Sequence, residues 1–211
     1  MVYQYAAIGD SLTFGVGALP GSGFVPLYSR MAEERLQQVV RFKNLGINGL
    51  TSEKLYERIM SDARLRISLK VAGLITISIG GNDLIRAVKS GGFRPDRERL
   101  EKALERCQRN ISGCISAIYK LKSGDNQPYI LRAVGLYNPY PSWGEAAEYV
   151  TRFNRYLRGM EHGGFLRIAD IYWRFAGREQ ELLSFDGIHP STKGHRVIAE
   201  ELDRLGYKPI K

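Results

Sequence analysis

The sequence predicts an α/β protein, a parallel sheet of five strands covered by helices on both faces, and two observations carry that expectation. Short apolar runs alternate along the chain with amphipathic stretches of helical period. No repeat, linker or low-complexity segment interrupts the alternation, and 211 residues suit one domain spanning 1–211 when domains average about 150 residues.

The first strand is expected at Gln4–Ile8, directly ahead of Gly9-Asp10-Ser11. Further strands are expected at Val39–Asn44, Val71–Ile79, Tyr129–Gly135 and Phe165–Asp170, where β-branched and aromatic residues cluster between turn residues. Helical spacing of apolar residues places helices at Val25–Gln38, Ser52–Ser61, Arg97–Leu121, Ala146–Met160 and Ser191–Leu205, so five βα units follow one another. In the third of these helices Glu98/Lys102 and Glu105/Arg109 are i,i+4 pairs, which reads as a solvated face and not as a binding patch. Cys107 and Cys114 lie seven residues apart on its apolar stripe, about 10.5 Å along a helix, so they read as reduced core thiols and not as a disulfide.

Composition excludes several function classes. The 44% hydrophobic and 25% charged content belongs to a chain with a sizeable core and not to a disordered or fibrous one. No run approaches the 18 or so apolar residues of a membrane helix, so no transmembrane segment is expected. Met1-Val2-Tyr3-Gln4-Tyr5 lacks the charged and apolar regions of a secretory leader, which points to synthesis in the cytoplasm. The net charge of +9 favours weak association with anionic surfaces. Its 21 Arg and 10 Lys are scattered without a basic block, so nucleic acid is not an expected partner.

In sheets of this kind ligands sit beyond the carboxyl ends of the strands, which directs attention to the loops there. After the first strand, Gly9-Asp10-Ser11-Leu12-Thr13 puts Ser11 near a helix start, where free N–H groups favour developing negative charge. After the second, Gly49 lets the backbone approach a ligand closely and aim its N–H at an oxyanion. After the third, Gly80-Gly81-Asn82-Asp83 supplies the amide of Asn82 to the same oxyanion. Ahead of the last helix, Asp186-Gly187-Ile188-His189 spaces a carboxylate so that it folds back onto an imidazole and orients it as a base. Each motif alone has a plainer reading: a capping serine, a turn glycine, a capping asparagine, a surface loop. Together they supply nucleophile, base, orienter and oxyanion donors after different strands. The other two histidines, His162 and His195, have no acid similarly placed and read as structural or surface residues; no metal site is expected from these histidines and the two helical cysteines.

These four blocks resemble those of the SGNH (GDSL-type) hydrolases, in the family's order and across almost the whole chain. The resemblance implies a three-layer α/β/α, flavodoxin-like fold and no cofactor. It implies Ser11 as nucleophile, His189 as general base and Asp186 as its orienter, with the Ser11 N–H, Gly49 and Asn82 forming the oxyanion hole. Within the family, the Ala7-Ile8-Gly9-Asp10-Ser11-Leu12-Thr13 opening and Leu136-Tyr137-Asn138-Pro139 are similar to the bacterial spore-germination lipases, which implies association with the spore.

Candidate substrate-binding walls are Leu12, Phe14, Val16, Leu50, Ile85, Tyr137, Trp143 and Ile188, an apolar and aromatic set suited to an acyl chain, although each also reads as core. The expected substrates are carboxylic esters of short to medium acyl chains, lipid or lysophospholipid esters among them. Acetylated carbohydrate is the other reading within the enzyme class. Outside it stand a flavodoxin-like module binding a nucleotide or flavin phosphate, which the acid in the first loop and the lack of a Gly-Lys-Ser/Thr motif disfavour, and a surface protein acting through its charge.

Overall fold

The Val- and Ile-containing runs form a five-stranded, wholly parallel sheet in the order β2-β1-β3-β4-β5 in the computed structural model, which describes residues 2–90, 96–124 and 127–211. The strands are β1 (Val2–Gly9), β2 (Val39–Gly46), β3 (Leu74–Ser78), β4 (Ile130–Val134) and β5 (Leu166–Ala169). The chain starts in the interior of the sheet, steps to one edge and then crosses back past itself, so the direction of winding reverses at β1 and β3. Crevices open at such a switch point.

Side-chain alternation divides the core into two. Ala6 and Ile8 of β1, Ile75 and Ile77 of β3 and Leu131 and Ala133 of β4 face one layer, and Tyr5, Ala7, Leu74, Ile130 and Val134 face the other. The first face is covered by α3 (Ser52–Ser61), α4 (Ala63–Val71), α5 (Gly81–Ser90), α6 (Arg97–Lys122) and α7 (Gly144–Arg158). The second carries α2 (Phe24–Leu36) and α10 (Thr192–Arg204). Among the described residues three one-turn helices, α1 (Ser11–Phe14), α8 (Tyr172–Phe175) and α9 (Glu179–Leu182), fill connections. Cys107 and Cys114 are buried free thiols on the inner stripe of α6. Among the described residues no helix is long and apolar enough to cross a membrane.

The structure corrects several of the expected elements. The strand expected at Val71–Ile79 begins only at Leu74, because Val71 closes α4, which Asp62 caps by accepting from the Arg64 and Leu65 N–H groups at 3.0 Å each. Helices α4 and α5 were not expected. Both are short, and the sequence of α4 carries Arg64, Arg66 and Lys70 among its apolar residues, which blurs the periodicity. The helix expected to reach Met160 stops at Arg158, and the helix expected at Val25–Gln38 stops at Leu36 because Gln37 takes a left-handed conformation at φ 54°.

Candidate active site

The register of the sheet brings three loops together. Gly9 of β1 pairs with Gly46 of β2 on one side and Ser78 of β3 on the other, so the loops after these strands leave the sheet at one level. Gly9 has φ +142°, and a Cβ there would meet the Ser78 carbonyl oxygen at 2.1 Å, so this position requires glycine. The chain then turns into α1. Asp10 caps that helix by accepting from the Leu12 N–H at 3.1 Å, and it also accepts from the Ser78 hydroxyl at 2.9 Å. Burial pushes the Asp10 carboxyl up to about 6, against the lowering effect of these bonds. Thr13 donates to the Ile8 carbonyl at 3.1 Å and lies 2.7 Å from the Ser78 hydroxyl, completing the support beneath Ser11.

His189 arrives from the loop between α9 and α10. That loop is folded by its own backbone, with the Ser184 N–H donating to the His189 carbonyl at 2.7 Å. One Asp186 oxygen accepts from the Ile188 and His189 N–H groups at 2.9 Å each and from the Ser184 hydroxyl at 2.8 Å. The other lies 2.6 Å from Nδ1 of His189. Nε2 of the same ring lies 3.0 Å from Oγ of Ser11. A carboxylate facing Nδ1 assigns the neutral ring's proton to that nitrogen and leaves Nε2 to accept from the serine hydroxyl. Partial desolvation works to raise the Asp186 carboxyl, but the bonds from the His189 ring, the two N–H groups and Ser184 outweigh it and hold the group well below the usual carboxylate range.

The two other candidate donors, Gly49 and Asn82, lie in the loop after β2 and at the start of the helix after β3. The Leu50 N–H donates to the Ile47 carbonyl at 3.2 Å, closing a turn whose third residue, Gly49, has φ +76° as a type II turn demands. Asn82, in the first turn of α5, lines the cavity beside Ser11 and donates one amide hydrogen to the Leu50 carbonyl at 3.0 Å. Its second amide hydrogen is therefore available to a ligand. Among the described residues the N–H groups of Ser11 and Gly49 donate to no protein acceptor.

A cavity of about 180 Å³ opens beside Ser11 and His189. Of the expected walls, Leu12, Ile85, Tyr137, Trp143 and Ile188 line it. Leu50 turns into the core instead, Phe14 stands 60% exposed outside the cavity, and Val16 uses its carbonyl to accept from Nε2 of the buried His195 at 2.9 Å. The sequence reading missed Leu84, Leu100, Tyr149 and Val150, which extend the cavity between α5, α6 and α7. These lie on ordinary core stripes, and no sequence signal separates a residue that faces a cavity from one that faces a neighbour.

The model of the GDSL-like lipase/acylhydrolase family matches residues 7–197 of the chain, from the strand ahead of Ser11 to the last helix. The chain belongs to this family. Like other GDSL-like acylhydrolases, it is a carboxylic ester hydrolase. One relative, the spore germination lipase LipC of Bacillus licheniformis, is 36% identical over 208 residues, 98% of each chain. A second, the uncharacterized protein YpmR of Bacillus subtilis, is 26% identical over 215 residues, 98% of this chain and 80% of that one. Among solved structures, the lipase Lip_vut3 from a goat rumen metagenome superposes with a TM-score of 0.94 at 35% identity, covering 99% of this chain and 100% of that one. An acetylxylan esterase of Geobacillus stearothermophilus shares the fold at a TM-score of 0.73 and 19% identity, covering 99% and 96%.

Proposed function

We propose that residues 1–211 are one hydrolase domain that cleaves carboxylic esters of short to medium acyl chains through an acyl-enzyme on Ser11. The observation that carries this reading is the relay Asp186–His189–Ser11, at 2.6 and 3.0 Å, opening onto a cavity walled by apolar side chains. Ser11 Oγ attacks the ester carbonyl as Nε2 of His189 takes its proton, and Asp186 stabilises the imidazolium that forms. The carbonyl oxygen becomes an oxyanion held by the Ser11 and Gly49 N–H groups and the free amide hydrogen of Asn82. His189 then returns the proton to the leaving alcohol, and water repeats both steps to release the acid.

Apolar walls select the acyl side. An apolar cavity of about 150 Å³ in another protein holds a benzene molecule, so about 180 Å³ accommodates a chain on the order of six to eight carbons. A sugar would leave its hydroxyls unpaired against Leu84, Leu100 and Val150. The name of the LipC relative supports a lipid ester as substrate and the spore as the place of action. The +9 charge supports weak binding to anionic surfaces, to be read as salt-sensitive association with anionic vesicles.

The test is a fluorophosphonate label followed by an ester panel. Labelling at Ser11 alone, with medium-chain nitrophenyl esters turned over faster than acetylated sugars, is the expected result. Labelling elsewhere would remove the nucleophile assignment, and a strong preference for acetylated sugars would replace the lipid reading with the carbohydrate one.

A further inference from the structure

The turn that carries Gly49 is held from outside by side chains of a single helix. Asn82 and Arg86 of α5 grip the turn itself, and Asp83 grips the start of α3 just beyond it. Asn82 donates to the Leu50 carbonyl at 3.0 Å. Asp83 accepts from the Ser52 N–H at 3.0 Å and from the Ser52 hydroxyl at 2.6 Å. Arg86 reaches back across one turn of helix and donates through Nη2 to the Gly49 carbonyl at 2.8 Å.

The Asp83 contact also serves α3. Thr51 stands at the N-cap of that helix without making a side-chain cap bond, and Asp83 takes over the task from another element by accepting the Ser52 N–H. The Ser52 hydroxyl is then fixed at both ends, since it accepts from the Asn110 amide at 3.0 Å. Asp83 is thus tied into packing and folding. Arg86 is different: it is exposed, and its bond goes to the residue whose N–H is free.

We propose that Arg86 is a positioning residue for ester hydrolysis: its bond to the Gly49 carbonyl fixes the turn so that the Gly49 N–H and the Asn82 amide converge on one oxyanion. The inference rests on the oxyanion role proposed above for those two donors. Physically, Gly49 at φ +76° lacks the side chain that would restrict its rotation, and beyond its chain neighbours no heavy atom lies within 4 Å of where its Cβ would be. The Gly49–Leu50 peptide is therefore held by hydrogen bonds and not by side-chain packing: its N–H donates to the Ile47 carbonyl, and its carbonyl accepts from the charged Arg86 guanidinium. An oxyanion hole works only when its donors are already in place as charge develops, because reorganising them during the reaction costs the rate they would supply. Fixing both donors to the same helix makes their separation a property of α5.

The experiment compares wild type with Arg86→Ala, Arg86→Lys and Ser11→Ala, reading kcat and KM on a nitrophenyl butyrate and inhibition by an alkyl boronic acid, whose tetrahedral adduct mimics the intermediate. Arg86→Ala is expected to lower kcat about tenfold with KM nearly unchanged, since displacing a donor loses part of the roughly 100- to 1,000-fold that deleting one costs. Boronate affinity should fall by a similar factor, the melting temperature should hold, and Arg86→Lys, which retains one charged donor, should recover most of the loss. Unchanged kcat and boronate affinity in Arg86→Ala, with Ser11→Ala inactive, would overturn the positioning role and leave the hydrolase reading standing. A kcat loss accompanied by a matching fall in melting temperature and no rescue by Lys would make Arg86 merely structural, which also overturns it. An active Ser11→Ala protein would strike the underlying mechanism itself.

Discussion

The hydroxyl of Tyr137 donates to the carbonyl of Ile188 at 2.5 Å, tying the loop after β4 to the residue immediately before His189. Its ring stacks on Phe175 with centroids 4.5 Å apart and lines the cavity, so one side chain both walls the cavity and straps the loop that carries His189. Tyr137→Phe keeps the wall and removes the strap. Loss of such a bond costs about 0.5–1.5 kcal/mol, to be read from urea melts. Turnover is expected to fall several-fold with little change in KM, because His189 loses a fixed approach to Ser11 while the cavity is unaltered.

Removing a donor tests the oxyanion assignment directly. Asn82→Ala should keep the fold and lose roughly 100- to 1,000-fold in turnover. Ser11→Ala should lose several orders of magnitude, since members of a triad act as a unit. Near-wild-type turnover of Asn82→Ala, with far-ultraviolet circular dichroism intact, would take the Asn82 amide out of the mechanism.

The buried carboxyl of Asp10 makes stability depend on pH in an unusual direction. Its native value of about 6 stands above the ordinary 3.8, so between those values the folded protein binds more protons than the unfolded chain, and stability from this group falls as pH rises. Below the ordinary value both states are protonated and the effect vanishes. The depressed Asp186 acts oppositely, its stabilisation being present above the ordinary value and lost as pH falls. Asp10→Asn removes only the first contribution. The variant should be more stable than wild type at pH 8 by up to roughly 3 kcal/mol and indistinguishable from it below pH 4, as measured by urea denaturation at both values.

Chain-length preference follows from the inner wall. Val150 is 6% exposed and lines the cavity from α7, so Val150→Phe fills space that an acyl chain would occupy. Octanoate ester turnover is expected to drop about tenfold while acetate ester turnover stays within about twofold, since filling the space of a few methylenes at about 0.8 kcal/mol each outweighs tenfold discrimination. Equal losses for both esters would show that the substitution disturbs packing and not the acyl site.

Much of the site was legible because its residues sit in turns whose chemistry is local. Gly9-Asp10-Ser11, Asn82 and the Asp186–His189 spacing each announce a backbone geometry that a few neighbouring residues determine. The strands were legible for a similar reason, although the end of α4 was absorbed into β3 because Val71 belongs equally well to either element. What was not legible depends on facing. Leu50 and Phe14 look like pocket walls by their nearness in sequence to Gly49 and Ser11, yet one is core and the other exposed.

By itself the sequence determined the alternation of strands and helices, the placing of four loops at the carboxyl ends and the kinds of group those loops carry, because propensity, period and turn chemistry act over a few residues. Only the tertiary structure decided which groups meet. Ser11 and His189 are 178 residues apart and come within 3.0 Å because the pairing of β1 with β3 and the packing of α10 on the far face set their approach. Arg132 shows the same division: it stands between Leu131 and Ala133 in β4 and is fully buried, donating to the carbonyls of Phe165 at 3.1 Å and Gly206 at 2.8 Å. A buried charge is tolerated only where acceptors surround it, and those acceptors come from chain 33 and 74 residues away.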